Sequence, residues 1–455
     1  DENVFGIRQG VSISIFIKSN NHNAISDVNT FDLWGSRTRK YHFLTHNSID
    51  TVKWINLNPS APFYFLVRKD FNYSIEYENG LYIKDLFVDY ATGTGTGKDS
   101  VFVTFQKSDI DQLSKDLTDP QKTNEELTST YRLKNTSGWD FFGRRNEIIR
   151  SNIQEDIKKY HYRPFDIRFV LYTPIIRRDS RNIMHHMEEN NVGLLLCQQQ
   201  AKKGFQHIYC TKHIVDESVL STTTRERGYL FPLYLYPDEA SSTLFDSTTI
   251  SHWDPDTDND NRVPNLNLEP IKNIEDKLGI IFNPHLCGNK HIINSVFGPE
   301  DLLAYVYSIL HSPTYRQRYV EFLKIDFPRM PLTSDADLFR VLVYKGRELI
   351  ALHLMESPKL QERITHYPIP GDNTIPARGG YPKYTPPEEG HGGRVYINRE
   401  QYFEGVPPEV WAFEIGGYQV LHKWLKDRRG RTLNYDDQTH YQQVVVALSQ
   451  TMGLM

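Results

Sequence analysis

The stretch Tyr160–Met187, YHYRPFDIRFVLYTPIIRRDSRNIMHHM, sets Arg163, Arg168, Arg177, Arg178 and Arg181 among Tyr160, Tyr162, Phe165, Phe169 and Tyr172. Aromatic and β-branched side chains favour strands, and the strand-rich block that resumes at Arg163 runs to Tyr236. The same block carries Gln198-Gln199-Gln200-Ala201-Lys202-Lys203 and Thr222-Thr223-Thr224-Arg225-Glu226-Arg227. From Asp140 to Leu235 there are 15 Lys and Arg against 11 Asp and Glu, in a chain whose net charge is −5. An acidic total argues against polyanion binding by the whole surface and leaves a local basic patch as the place to look. Arg and Gln make two-point contacts to guanine and adenine edges, while Lys and Thr suit phosphates. The block therefore reads as a nucleic-acid face, with Arg163, Arg168, Arg177, Arg178, Arg181, Gln199, Lys202, Lys203, Arg225 and Arg227 as candidate contacts. Each arginine has a structural alternative, burial in an ion pair with a carboxylate such as Asp166 or Asp179.

Outward from this block the pattern changes. Residues 4–18, VFGIRQGVSISIFIK, read as a hairpin: a short strand, a turn at Gly10, then alternation from Val11 to Lys18. Strand-like pieces follow at Tyr41–Leu44, Phe63–Arg68, Tyr82–Val88 and Val101–Gln106, so the chain is mainly β up to about residue 107. Residues 109–160 carry helical spacing, broken at Pro120 and Gly138. Asp238–Pro270 is polar and acidic and predicts a loop or linker. Beyond it, DLLAYVYSILHS, DADLFRVLVYKGRELIALHLM and YDDQTHYQQVVVALSQTM predict helices, with a Gly/Pro-rich stretch from Pro368 to Gly393 and a strand at Arg394–Asn398. The expected class is α+β: β-rich N-terminal and central parts, then a largely helical C-terminal part. The 455 residues exceed what one hydrophobic core supports, so more than one domain is expected. No apolar run approaches the roughly 20 residues needed to cross a bilayer, and Asp1-Glu2-Asn3-Val4-Phe5 is not a secretory signal. A cytoplasmic protein is expected, and a start without Met that enters a strand-like run suits a chain continuing a longer polypeptide.

Several motifs fail on spacing. In TGTGTGKDS, Thr92 stands where a phosphate loop needs its first Gly, and Asp99 follows Lys98 where the magnesium-binding hydroxyl belongs. DPDTDNDN has Asn259 at the Gly position of a calcium loop and Asn265 at the twelfth-position Glu. His285, Cys287 and His291, and His185 and His186 beside Glu188 and Glu189, do not complete a four-ligand metal set, so no metal is expected. Cys197, Cys210 and Cys287 form no C-x-x-C pair and imply neither disulfides nor a zinc ribbon. There is no G-x-S-x-G elbow, no convincing nuclease triad of carboxylates and lysine, and no Asn/Asp-Pro-Pro-Tyr tetrad to hold a flipped adenine. No catalytic residue is assigned, and the chain alone is not expected to transfer a methyl group.

VFGIRQGVSISIFIK, WINLNPSAPFYFLV, TGTGTGKD, YRPFDIRFVLY, FPLYLY, ILHSPTYRQRYVEFLKIDFPRMPL and VWAFEIGGYQVLHKWLKDRRGRTL, taken in order, resemble the C-terminal region of Type ISP restriction-modification enzymes. These are bacterial single chains in which nuclease, ATP-driven translocase (helicase), N6-adenine methyltransferase and target-recognition domain follow one another. The resemblance implies that residues 1–65 are the tail of the methyltransferase domain, and that 66–236 are the β-rich recognition part. It makes 237–298 a linker region and 299–455 the helical support. It further implies double-stranded DNA as partner, together with an upstream methyltransferase domain, with or without linked helicase and nuclease domains, on the same polypeptide. S-adenosylmethionine, ATP and magnesium would serve those upstream domains, and no cofactor is implied for this chain. The competing expectation is a protein-docking fragment that uses LHSPTYRQRY and GGYQVLHKWLKDRRGR to bind another subunit without touching DNA.

Overall fold

The structure, a computed structural model, describes the chain except residues 8–9, 19–26, 60, 62–63, 71, 137, 150–154, 202–203, 223–225, 237–260, 287, 289–292 and 388–391. It divides into two compact units, Asp1–Asn72 and Tyr73–Met455. The fold is α+β, with helices and strands gathered in several small sheets.

In the first unit, Val28–Thr30 pairs antiparallel with Ile55–Leu57, and Ser36 caps the helix Arg37–His46 by accepting from the Arg39 N–H at 3.3 Å. The expected strand Tyr41–Leu44 lies inside that helix: the Ser36 cap starts a helical turn that outweighs the β preference of two aromatics. The expected hairpin at 4–18 is absent among its described residues, and Ile13, Phe16 and Ile17 are 79%, 83% and 90% exposed. Alternation needs a face to bury against and a ladder to complete, and the described residues of the unit provide neither. Lys40, held by the Glu2 carbonyl at 2.7 Å and the Asp1 carboxylate at 2.8 Å, is its one buried residue among those described.

In the second unit two four-stranded sheets carry the block described above. One has the order Ile214–Val215, Ile157–Arg163, Asp166–Leu171, Val103–Thr104. The other runs Ala91–Thr92, Gly228–Pro232, Gly193–Cys197, Ile208–Thr211. The hairpin of Ile157–Arg163 and Asp166–Leu171 turns at Pro164 and Phe165, where Phe165 takes a left-handed φ of 59°. Such a backbone costs roughly 1–3 kcal/mol for a residue with a Cβ. Burial of the Phe165 ring against Tyr209 and His353 offsets it, by roughly 2–3 kcal/mol.

Several helices arise where the periodicity placed them, but of the helical stretch expected at 109–160 the end is corrected, since residues 157–160 open the strand Ile157–Arg163. Lys107–Thr118 and Asn124–Tyr131 bury Ile110, Leu113, Leu117 and Leu127 with Trp139 and Phe141 in a small core of their own. Pro299–His311 crosses Ala336–His353 so closely that a Cβ on Gly346 would meet the Ala304 carbonyl oxygen at 1.8 Å. The buried Arg347–Asp301 pair locks that crossing. Tyr435–Leu454 starts from an Asn434–Asp437 capping box.

Two expectations are corrected here. Tyr82–Val88 and Val101–Gln106 are not continuous strands, since short helices occupy Ile83–Leu86 and Asp99–Phe102. Residues 261–298 are not a linker: they hold Leu268–Leu278, whose Ile271, Ile274 and Leu278 face the core, and the parallel pair Ile281–Phe282 with Val296–Phe297. Asn265, in place of a calcium-loop carboxylate, is a buried clamp whose Nδ2 donates to the Asp89 and Pro232 carbonyls at 2.8 and 2.7 Å. The larger cores draw on residues from 77 to 350 and from 103 to 448, so the parts expected as 66–236 and 299–455 share their interiors.

Candidate nucleic-acid interface

The Gly-rich segment at 92–97 is a strut of this scaffold. Gly93 N–H donates to the Gly228 carbonyl at 2.9 Å, Thr94 N–H to Val215 at 2.7 Å and Gly95 N–H to Arg178 at 2.9 Å. Amide groups spent this way cannot cradle a phosphate. Glycine is needed for close approach: a Cβ on Gly93 would stand 2.5 Å from the Asp216 carbonyl oxygen, and one on Gly97, at φ +82°, 3.0 Å from the Trp139 ring.

Around this strut the candidate arginines fall into two sets. Arg163 and Arg168 are 6% and 8% exposed, so the structure takes them off the accessible face. Arg163 donates to Asp216 at 2.7 Å, and the same carboxylate accepts from Tyr160 Oη at 2.9 Å. Arg168 donates to Asp166 at 2.7 Å, which also accepts from Arg428 at 3.0 Å. Burial by itself would raise the Asp166 carboxyl, but the Arg428 and Arg168 guanidinium groups hold it well below the ordinary range. The Tyr162 ring lies between both arginines, 3.8 Å from the Arg163 guanidinium carbon and 3.9 Å from that of Arg168. The strand alternation that offered these side chains to a surface instead turns them into the interior, where each needs a carboxylate.

The second set stands at the rim. Arg178 pairs with Glu217, and Arg227 Nε lies 3.9 Å from the same carboxylate; both arginine side chains are about two-fifths exposed. Arg177 is exposed and has no carboxylate partner among the described residues. Gln199 is exposed on the segment that leaves Cys197, whose register partner is Gly228, next to Arg227. Arg178 and Arg227 are thus brought together about Glu217, with exposed Arg177 next to Arg178 in sequence and Gln199 on the segment that follows Cys197. Arg181 is turned elsewhere: it stacks over Tyr172 at 4.7 Å and donates to that residue's carbonyl at 2.6 Å. Lys202, Lys203 and Arg225 lie outside the described residues, as do Cys287, His291 and Asp254–Asp260.

The linear sequence gave no sign of Asp216, Glu217, Glu226 or Arg428 as partners of this region. Arg428 falls in the GGYQVLHKWLKDRRGR segment of the competing docking expectation, 262 residues from Asp166. Among the described residues no three His, Cys, Asp or Glu side chains are grouped so as to hold a metal ion. His185 and His186 are used locally, with Nδ1 of His185 on the Arg181 carbonyl and Nδ1 of His186 accepting from Tyr236 N–H. No described helix is long and apolar enough to cross a membrane.

The fold has solved counterparts. A nuclease-deletion mutant of the Type ISP restriction-modification enzyme LlaGI, in complex with a DNA substrate mimic, is similar at TM-score 0.62 and 17% identity over 96% of this chain and 39% of that one. The DrdV–DNA complex is similar at TM-score 0.63 and 16% identity over 92% of this chain and 41% of that one. The ATP-dependent Type ISP enzyme LlaBIII bound to DNA gives 0.60 and 18% over 88% and 26%. This chain therefore spans less than half the length of each. No curated protein sequence matches it. The sequence profile of the Type ISP C-terminal specificity domain covers residues 85–455, and the chain belongs to that family.

Proposed function

We propose that residues 73–455 read duplex DNA for a restriction-modification polypeptide, with Arg177, Arg178, Arg227 and Gln199 on the reading face and Lys202, Lys203 and Arg225 as further contacts. Membership in a specificity-domain family sets the task, and one observation carries its location. Arg178 and Arg227 share a single carboxylate at the end of a sheet, and Arg177, next to Arg178 in sequence, is exposed. Such a rim holds a surplus of guanidinium charge in fixed position, where phosphate contacts set register and base-edge contacts give sequence. Arg163, Arg168 and Arg428 act beneath it, fixing the hairpin and the 216–217 turn that present the rim.

Methylation and cleavage belong, in this reading, to domains upstream on the same polypeptide. Those domains would bind S-adenosylmethionine, ATP and magnesium in the cytoplasm and act on an adenine flipped from the duplex held here. The alternating run Val11–Lys18 then completes the methyltransferase sheet. The protein-docking alternative has less room: Leu310, Tyr315, Tyr319, Val420, Leu421, Trp424 and Leu425 of its two segments are buried in this chain's own core.

The test is a salt titration of binding to random-sequence duplex. The parent should bind with a steep loss of affinity as salt rises. Arg177→Ala/Arg178→Ala should weaken binding and flatten the log–log slope by roughly 2, one condensed counterion per lost phosphate contact. An unchanged slope would remove these two residues from the face, and a parent without affinity for duplex would remove the reading.

A further inference from the structure

The rim is held by a buried knot, and its centre is Glu226. This residue is 1% exposed and lies in sequence next to Arg227. Its Oε1 accepts from the Ala201 N–H at 2.6 Å, and its Oε2 accepts from Ser221 Oγ at 2.5 Å and stands 3.3 Å from His207 Nε2. Its carbonyl oxygen accepts from the Cys197 thiol at 3.1 Å. One carboxylate thus ties residues 201 and 207, on the connection between the paired strands Gly193–Cys197 and Ile208–Thr211, to residue 221, on the segment leading into Gly228–Pro232.

A second layer fastens the knot to the helical half. Gln200 Nε2 donates to the Leu323 carbonyl at 3.0 Å and Gln200 N–H to the Lys324 carbonyl at 3.2 Å. That orientation leaves Gln200 Oε1 to accept from His207 Nδ1 at 2.8 Å. Burial would raise the Glu226 carboxyl, but Ser221, the Ala201 amide and His207 hold it below the usual range, so it stays ionised and keeps accepting from all sides. A buried polar network of this kind favours one geometry, because slippage strands a charge.

We infer that Glu226 is the positioning residue for sequence reading, setting the segment of Gln199 and the segment of Arg227 at a fixed mutual distance. The inference rests on the proposed DNA reading. Phosphate contacts tolerate shifts of an ångström, whereas two-point base contacts do not. Loosening the knot should therefore cost discrimination before it costs affinity.

The experiment selects bound sequences from a random duplex pool with the whole chain, with Glu226→Gln, and with Asp301→Asn as a control. The control disturbs a buried ion pair that involves no residue of either segment. Thermal melting accompanies each variant. The parent should enrich a motif. Glu226→Gln should enrich it about tenfold less while its affinity for bulk duplex and its salt slope stay parental. Asp301→Asn should lower the melting temperature and leave enrichment alone. Should Glu226→Gln not fold, Ser221→Ala removes one donor and leaves the carboxylate, and about a threefold loss of enrichment is expected. Parental enrichment in the folded variant, or equal losses in Glu226→Gln and Asp301→Asn, overturns the positioning role. A parent that binds no duplex, or binds without enriching any motif, overturns the DNA reading instead.

Discussion

The hairpin at 157–171 and the rim about Glu217 carry arginines from one short stretch of sequence, yet the two regions use them oppositely. In the hairpin, Arg163 and Arg168 are sealed against Asp216 and Asp166, and Arg428 arrives from the far end of the chain to complete the second pair. At the rim, Arg178 and Arg227 divide one half-exposed carboxylate and Arg177 has none. The guanidinium group suits both tasks, since it stays charged in either place and its fork fits a carboxylate as well as a phosphate. What differs is desolvation. Inside, each charge must be matched or the fold fails; outside, an unmatched charge is available to a ligand.

The sharpest way to break this contrast is Asp166→Ala, which removes the carboxylate shared by Arg168 and Arg428. It should cost about 3–5 kcal/mol in urea denaturation, because two buried cations lose their nearest carboxylate and keep only Asp427 and Asp437 at 3.6 and 3.8 Å. A loss below about 1 kcal/mol would place these arginines in water and merge the two sets.

Acid should act next, and on the interior alone. Burial holds His161, His186 and His353 at about 3, against about 6.5 in an unfolded chain. Their folded values are depressed, so the stability they contribute is fully present above about pH 6.5 and is lost as pH falls toward 3. Melting temperatures at pH 7.5 and 5.5 should show the lower value at 5.5, and equal values would mean that these rings can take up protons in place. Asp166, also depressed, adds its own loss only below the ordinary carboxylate range.

Gly93→Ala tests the strut between the regions. Its Cβ would meet backbone, not a flexible side chain, so about 1–3 kcal/mol of destabilisation is expected in the same denaturation assay. The smallest stability effects belong to the rim. Arg178→Ala and Arg227→Ala should each stay within about 0.5 kcal/mol of the parent. Each should also take roughly 1 from the salt slope of duplex binding. A large stability loss with an unchanged slope would move that residue into the interior set.

Much of the architecture was legible in the chain. Leu302, Leu303, Val306 and Leu310 recur at helical spacing after Pro299, and Phe339, Val343, Ile350 and His353 do the same, which is why those helices stand where expected. The helices that strand propensity and polar composition obscure also carry local signals: Ser36 before Arg37–His46, and Ile271, Ile274 and Leu278 ending at a left-handed Gly279. Val11–Lys18 is a different case, because its alternation states a requirement for a partner edge that no described residue of 1–72 meets.

Pattern and composition alone determined the α+β class, the helical second half and the block where basic side chains gather, since periodicity and local charge are properties of neighbours in sequence. Which arginines are available to a ligand was decided only by tertiary structure. Asp216 lies 53 residues from Arg163 and Arg428 lies 262 from Asp166, and no local pattern reports a partner at that distance. Burial is set when distant segments meet, and burial is what turns one guanidinium into a structural tie and leaves another free to meet a ligand.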